Sequence, residues 1–540
     1  MVAQSVRRQA RTSSAFRRPR RLWDNRRVKP ACTPSRWWSL LWSDYLAHYS
    51  YKREPASRAR LLFPLRLLTN SSLHGSLLLR LTLSGPRPIR WLWRALLLVT
   101  HGFSVTGDCE IGPGLQMTHP LGLSIGPAVK VGRDAALFHG ITLVGDIEAD
   151  RPLVVGDRVE IFPGSVVEGA LMLGDGCIVG ANAFLTRDLQ AGEVYTVRSD
   201  RHERTSAQGL EQGAPPPPQP VTLEPPPDDQ LPACPYSLTE LLRSDYFASR
   251  GHHASLLKLS ITVLHDRSMR VIALVRLIQK MPTWQSWLWR RLMLVHGCDV
   301  SRRCVIGPGL RIPCPFGVVV GETVIGAGAT LHQNISMSSA AREWRADSRL
   351  GLLRVGDDVT VMPGAAVLGA IEIGSGAVVG PNSMVTRSLP DHQRFDNALS
   401  IGVDELPGRA HSPLRYAVRR QASSSMLLLG LHRAGPGTAR LFRALLGLVH
   451  QIRVEEDVTV GEGVEMPRPV WVSIGRATCV GRGSRIQNRV TVTGGVRVGD
   501  GVELGAGAIL QGPLDVPAMS RVPANHVVVV RGSSSSVTRD

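Results

Sequence analysis

The chain has 540 residues and a formal net charge of +19; 43% of its residues are hydrophobic, 5% are aromatic and 54 are glycine. This length exceeds what one hydrophobic core serves, so about three folded units are expected, and the composition favours turn-rich repeats over cores built from large rings. The eight cysteines form no Cys-x-x-Cys pair, which argues against a disulfide scaffold and a zinc site. No apolar run reaches the ~18 residues of a membrane span, which argues against a transmembrane protein. We therefore expect a soluble, cytoplasmic protein.

Residues 1–36 are predicted to form a basic, disordered arm. Its first 30 residues contain ten arginine or lysine side chains and a single acid, Asp24. Such an arm fits contact with a nucleic acid or a membrane surface, organelle targeting, or a solvated tail without a specific partner. The sequence leaves these alternatives open.

Residues 37–205 are the first of three similar modules. The stretch 38–99 is rich in Leu, Trp and Arg and is predicted to be helical. From 104 to 200 an aliphatic residue recurs every six positions, often before a glycine, as at Val155, Ile161, Val167, Leu173, Val179 and Leu185. This period fits neither a helix stripe nor simple strand alternation. It predicts short strands joined by tight turns, which stack as coils around an aliphatic column.

The same plan is repeated twice along the chain. A proline-rich linker is predicted at 206–236, followed by a second module at 237–400 whose repeat covers 299–395. After a short linker at 401–412, a third module is predicted at 413–532, with its repeat at 453–530. The predicted fold is therefore mainly β, with three parallel β-helix modules of hexapeptide repeats, each preceded by an α-helical segment.

The first repeat opens with a distinctive order of residues. An Ile111-Gly-Pro-Gly turn precedes His119, a strand with His139 and Thr142 follows, and a loop at 145–153 then breaks the period. This pattern resembles the serine acetyltransferase family and its relatives that acetylate hydroxyl groups of sugars. The resemblance implies left-handed β-helices, acetyl-CoA as the acetyl donor with no metal, and homotrimers whose active sites lie in grooves between neighbouring prisms.

His119 is the candidate catalytic residue. The resemblance implies that it is the general base for the acceptor hydroxyl, a role that suits a neutral imidazole near neutral pH. The alternative is a structural histidine at a coil corner. Serine-specific family members carry an aspartate 15 positions earlier to orient this ring, and here that position is Ser104. A base without its carboxylate is expected to be weaker.

The resemblance also implies candidate residues for binding the acceptor and acetyl-CoA. His139 and Arg151 are candidates for acceptor binding, with a half-buried turn residue and a solvated loop arginine as the alternatives. The loop lacks the family's second histidine, so the acceptor is L-serine or a sugar or natural-product hydroxyl. Relatives hold acetyl-CoA with backbone groups of later coils, and ordinary turn chemistry is the alternative here. The corresponding cofactor-binding candidates are Gly180, Ala181, Asn182, Gly380, Asn382 and Asn525.

The second and third modules differ at the histidine position. Cys314 stands there in the second module, with Asp299 15 positions earlier, and Arg468 stands there in the third. Cysteine can act as a nucleophile but not as the same neutral-range base. The second module keeps the carboxylate without the base, and the third has an arginine in place of the histidine. We therefore expect neither module to be catalytic in the ordinary way.

The predicted function is acetyl-CoA-dependent O-acetyl transfer to a small-molecule acceptor, of the kind that serves cysteine biosynthesis when the acceptor is serine. The alternative is a non-catalytic scaffold or binding protein. The three modules are expected to form an intramolecular pseudo-trimer, or else whole chains form a homotrimer. The chain ends at Asp540 and not at the isoleucine with which serine acetyltransferases engage cysteine synthase, so that partnership is not expected.

Overall fold

The structure is a computed structural model. It describes residues 34–50, 61–64, 66–67, 70–105, 109–146, 152–198, 201–206, 235–339, 352–398, 400–408, 436–449, 451–466 and 470–529. The basic arm up to residue 33, most of the proline-rich linker, Arg151 and Arg468 lie outside these residues.

Short parallel strands form three triangular prisms, one in each module. In each prism the chain turns from one wall to the next, so every third strand joins the same sheet, as in the order β1-β4-β7-β10-β13 of the first wall. The register is parallel, with Ser124 opposite Thr142 and Ile125 opposite Leu143. The fold class is thus confirmed as mainly β, with parallel β-helices of short strands.

The strands of the first prism are β1 (Ser104–Val105), β2 (Glu110–Ile111), β3 (Gln116–Met117), β4 (Ser124–Ile125), β5 (Val129–Val131), β6 (Ala136–Leu137), β7 (Thr142–Val144), β8 (Leu153–Val155), β9 (Glu160–Ile161), β10 (Val166–Glu168), β11 (Met172–Leu173), β12 (Ile178–Val179), β13 (Phe184–Leu185), β14 (Glu193–Arg198) and β15 (Arg201–Ser206). The last two pair antiparallel as a hairpin, which the six-residue period did not predict.

The second prism contains β16 (Asp299–Val300), β17 (Val305–Ile306), β18 (Val319–Val320), β19 (Thr323–Ile325), β20 (Thr330–Leu331), β21 (Ser336–Ser338), β22 (Leu353–Val355), β23 (Thr360–Val361), β24 (Ala366–Leu368), β25 (Glu372–Ile373), β26 (Val378–Val379), β27 (Met384–Val385) and β28 (Arg394–Phe395).

The third prism contains β29 (Ser400–Gly402), β30 (Arg453–Val454), β31 (Thr459–Val460), β32 (Ser473–Ile474), β33 (Cys479–Val480), β34 (Arg485–Ile486), β35 (Thr491–Val492), β36 (Val496–Val498), β37 (Glu503–Leu504), β38 (Ile509–Leu510), β39 (Leu514–Val516), β40 (Arg521–Val522) and β41 (Val527–Val529). Strand β29 lies in the predicted 401–412 linker, and it pairs with β41. The structure differs from the prediction there because Ile401 packs against the core of the third prism.

The six-residue period marks the core, as predicted. Its members in the first prism, including Val155, Ile161 and Leu173, are at most 1% exposed. Each prism has its own aliphatic cluster of this kind. Burial of one aliphatic residue per wall in every coil therefore stabilises the stack.

Helical segments precede the prisms. The helices are α1 (Pro34–Ser50), α2 (Ser71–Ser84) and α3 (Arg90–His101) in the first module, α4 (Leu238–Arg250), α5 (Leu256–His265), α6 (Arg267–Lys280) and α7 (Thr283–Val295) in the second, and α8 (Pro436–Val449) in the third. Helix α4 begins with a capping box between Ser237 and Glu240. In the described part of the chain no helix is both long and apolar enough to cross a bilayer.

A closed cycle of asparagine side chains joins the three prisms. The Nδ2 of Asn182 donates to the backbone oxygen of Asn382 at 3.1 Å, that of Asn382 to the oxygen of Asn525, and that of Asn525 to the oxygen of Asn182, each also at 3.1 Å. Each amide thus reaches from one module to the next. The prisms lie side by side around a pseudo-threefold axis.

Trp471 fills the axis near the helical segments. Its indole Nε1 donates to Oε1 of Gln451 at 2.6 Å, and the side-chain amide of Gln451 donates to helix carbonyls of the first and second modules. A Cβ added to Gly122 or Gly317 would lie 2.3 Å or 2.7 Å from the Trp471 ring. These glycines therefore let the first two prisms approach a single tryptophan of the third.

Candidate active site

The groove between the first and second prisms brings together a histidine and a carboxylate. His119 lies in the turn after β3 with a left-handed φ of 53°, and Asp299 is the first residue of β16. The Nδ1 of His119 is 2.6 Å from Oδ2 of Asp299. The imidazole is 25% exposed and the carboxylate is fully buried. The ring therefore reaches the groove while its partner stays shielded from water.

The carboxylate beside His119 is supplied by the neighbouring prism. The sequence placed Ser104 at the orienting position of the first module and assigned Asp299 to the second module, whose own base is missing. The structure corrects the expectation that His119 lacks a carboxylate, because the pair forms across the groove. Residues from adjacent prisms meet in such grooves, so spacing within one module could not identify the pair.

Arg290 of α7 holds Asp299 from the other side. Its Nε donates to Oδ1 of Asp299 at 2.6 Å and its Nη2 to Oδ2 at 3.0 Å. Burial by itself would raise the pKa of Asp299, but the charges of Arg290 and His119 and their hydrogen bonds outweigh it and hold that pKa well below its usual value. Asp299 therefore stays ionised across the physiological range. No motif or period in the sequence pointed to Arg290.

This arrangement can move a proton. An ionised Asp299 accepts a hydrogen bond from Nδ1–H of His119, which assigns the neutral tautomer whose lone pair lies on Nε2. That nitrogen can accept a proton from a hydroxyl in the groove, and the carboxylate then stabilises the imidazolium that forms. The pair has the chemistry of a general base with its orienting group.

His139 borders the same site. Its ring centroid is 6.2 Å from that of His119, and both rings line a small cavity with Ser336 of the second prism. Burial, together with the charges of His119 and Arg489, lowers the pKa of His139 well below its usual value, so the ring is neutral at pH 7. Neither ring nitrogen has a hydrogen-bond partner in the described part of the chain.

The groove between the second and third prisms has different residues at the equivalent positions. Cys314 replaces the histidine, and its Sγ lies 3.5 Å from Oγ of Ser473. Arg453, the first residue of β30, stands where Asp299 stands in β16, and its Nη1 donates to the carbonyl of Pro313. At these two positions, therefore, this groove has neither the imidazole nor the carboxylate of the first. Arg468, the third module's residue at the histidine position, lies outside the described residues.

The predicted cofactor-binding residues lie on the turns that join the prisms. Asn182, Asn382 and Asn525 are at most 8% exposed, and their amides are used by the cycle around the axis. The backbone N–H of Gly180 donates to the carbonyl of Tyr195. Contact of these turns with acetyl-CoA, with Ala181 and Gly380 among them, stays a prediction, as does the acceptor-binding role of Arg151.

Comparison with known proteins finds a matching repeat model and similar serine acetyltransferases. Residues 354–387 match the family model "Bacterial transferase hexapeptide (six repeats)". The chain is 33% identical to serine acetyltransferase of Helicobacter pylori over 108 residues, which cover 18% of this chain and 63% of the relative. For serine acetyltransferase of Mycobacterium tuberculosis the identity is 32% over 123 residues, or 20% of this chain and 54% of the relative. The chain therefore spans between half and two thirds of these relatives.

Solved structures of the same kind are also similar. The structure of serine acetyltransferase isoform 3 from Entamoeba histolytica in complex with cysteine is 25% identical over 29% of this chain and 58% of that chain, with a TM-score of 0.25. A serine acetyltransferase in complex with CoA is 18% identical over 32% of this chain and 71% of that chain, with a TM-score of 0.27.

Proposed function

We propose that this chain, a serine acetyltransferase-like hexapeptide-repeat protein, transfers an acetyl group from acetyl-CoA to the hydroxyl of a small acceptor. The observation that carries the proposal is the His119–Asp299 pair at 2.6 Å in the first groove. The names of the relatives support an acetyltransferase and favour L-serine as the first acceptor to test. A sugar or natural-product hydroxyl is the second.

The proposed step needs one base and one carboxylate. Nε2 of His119 takes the proton of the acceptor hydroxyl while its oxygen attacks the thioester carbonyl of acetyl-CoA. The carbon–sulfur bond then breaks, and the imidazolium returns the proton to the departing thiolate, so the products are the acetyl ester and CoA. Asp299 stabilises the imidazolium between these two events. In this proposal His139, which is neutral and unpartnered within the described residues, orients the acceptor.

We further propose that one chain carries one such site. The second groove offers Cys314 and Arg453 in place of the pair, and neither is a neutral-range base. In this proposal the second and third modules complete the walls around the axis, and the second also supplies Asp299 to the first groove.

Thiol release from acetyl-CoA, measured with L-serine and a panel of sugars, tests the proposal. We expect His119→Ala to lower the acceptor-dependent rate by about a hundredfold or more, because general-base catalysis contributes that much. His253→Ala is the matched control, since this histidine is exposed on the helical segment of the second module. Equal rates for His119→Ala and the unchanged protein, or no turnover with any acceptor, would favour the scaffold alternative.

A further inference from the structure

A large cavity lies between the second and third modules, outside the site described above. Its volume is about 1070 Å³, and it is bordered by the start of α6, the turn at 311–316, α8 and β30. This volume is at the upper end of what small-molecule sites usually enclose. Seven arginine side chains but only three carboxylates line it. The wall of the cavity therefore carries an excess of positive charge.

Two of the lining arginines are not neutralised by any acid in the described part of the chain. Arg267 donates through Nη1 to the carbonyl of Gly447 at 2.9 Å and through Nη2 to the carbonyl of His296 at 3.2 Å. Among the described residues, Arg270 donates to two carbonyls at the end of α5. Backbone carbonyls satisfy some of these N–H groups but leave the two charges uncompensated.

Unused donors add a second observation. The Nε of Arg267 and the Nε of Arg311 are buried, and neither has a hydrogen-bond partner within the described residues. A buried donor without a partner costs free energy. Both side chains line the cavity.

The electrostatic field in the cavity also acts on its neighbours. Burial lowers the pKa of Arg267 to about 10, so the guanidinium is still charged at neutral pH. Burial together with the charges of Arg267 and Arg270 lowers the pKa of His296 to about 4. His296 is therefore neutral, and the cavity keeps its arginines as the source of charge.

The cavity adjoins the groove whose base and carboxylate have been replaced. One wall is the turn that carries Cys314, and another is β30 with Arg453. The first groove has the buried carboxylate of Asp299. At the same position this groove has the guanidinium of Arg453, which is paired with Glu455 at 2.6 Å. The same position therefore carries a positive side chain in this groove and a negative one in the first.

We propose that this cavity binds a small molecule with two or more negative charges, either a phosphate ester or a polycarboxylate. The ligand would accept hydrogen bonds from Arg267, Arg270 and Arg311, and it would join α6 of the second module to α8 of the third. Arginine suits both anions because its planar guanidinium pairs with two oxygens at once. The proposal stands independently of the catalytic site, since it uses none of its residues.

Calorimetric titration of the full-length protein with pyrophosphate and with citrate, at constant ionic strength, tests this site. We expect saturable binding of at least one of the two in the micromolar to low-millimolar range, together with a higher melting temperature. Pyrophosphate binding identifies the phosphate class and citrate binding the carboxylate class. Arg270→Gln should lower the affinity for the anion by roughly tenfold or more, because the substitution removes a charge-assisted hydrogen bond.

Arg482→Gln is the matched control, because this side chain is 77% exposed on the third prism and pairs with Asp500. It should leave the affinity unchanged. Arg311→Gln provides a second test if Arg270→Gln does not fold. Absence of saturable binding for both anions, or equal affinity in the cavity variants and the control, would overturn the proposal. Acetyl transfer measured on the same samples reports on the first groove separately.

Discussion

Asp299 lies fully buried between a histidine of the first prism and an arginine of its own helical segment. A buried carboxylate is costly unless it is paired and hydrogen-bonded, and here Arg290 and His119 provide both. The same pairing orients the imidazole. One residue therefore stabilises the contact between two modules and positions the proposed base.

Replacement of Asp299 by asparagine tests the positioning role. We expect Asp299→Asn to lower kcat by about 10²- to 10⁴-fold, because an amide can stabilise neither the required tautomer nor the imidazolium. The KM for acetyl-CoA should change little, whereas a purely structural role would change both constants and the melting temperature together. Asp500→Asn, at an exposed surface pair, is the control.

Ser104→Asp in the Asp299→Asn background is a sharper comparison. In the first prism, Ser104 occupies the position that Asp299 occupies in the second. Because the modules close in cyclic order, Ser104 faces the third prism and not His119. We expect no recovery of kcat. Full recovery would mean that the pair can form within one module, contrary to the geometry across the groove.

At the scale of elements, two modules attach their helices to their prisms in the same way. Arg80 pairs with Asp44 and donates to the carbonyl of Ile111, and Arg276 pairs with Asp245 and donates to the carbonyl of Ile306. All four side chains that form these two ion pairs are at most 1% exposed. These buried pairs therefore connect each helical segment to the first coil of its prism.

Loss of one partner in such a buried pair should be strongly destabilising. We expect Asp245→Asn to lower the free energy of unfolding of the second module by about 3–5 kcal/mol, since Arg276 would keep a buried, unpaired charge. Urea unfolding followed by circular dichroism measures this change. Glu322→Gln, which breaks an exposed pair with Arg303, should cost less than about 1 kcal/mol. Equal effects of the two substitutions would contradict a stabilising role of the buried Arg276–Asp245 pair.

At the scale of the whole molecule, three non-identical modules close a ring. The asparagine cycle and Trp471 connect every prism to both of its neighbours. A ring closed within one chain can place different residues in each groove, which identical subunits cannot do. This freedom accounts for a histidine–carboxylate pair in one groove and an arginine-rich cavity beside another.

The solution mass tests whether the ring closes within one chain. We expect a species near the 58.6 kDa chain mass by light scattering after size exclusion, because each prism already contacts two others. A species of three chain masses would instead indicate that each module assembles with its own copies. Cleavage of the chain within the linker that follows the first prism should leave the modules associated.

Much of the fold could be predicted from the sequence because its signal is local. The six-residue period depends on one inward aliphatic residue per wall, so Val155, Ile161 and their counterparts marked the prisms and their cores. His119 could be nominated from the motif around it. The hairpin β14–β15 and the strand β29 were not predicted, because their pairing depends on neighbours and not on the period.

The three repeats, their cores and the residue types at each histidine position follow from the order of residues along the chain. Which of these residues meet depends on how the prisms pack. Asp299 is 180 positions from His119, and no periodicity specifies which prism faces which. The groove pairs them because the modules close in cyclic order around one axis, and that closure depends on packing between prisms.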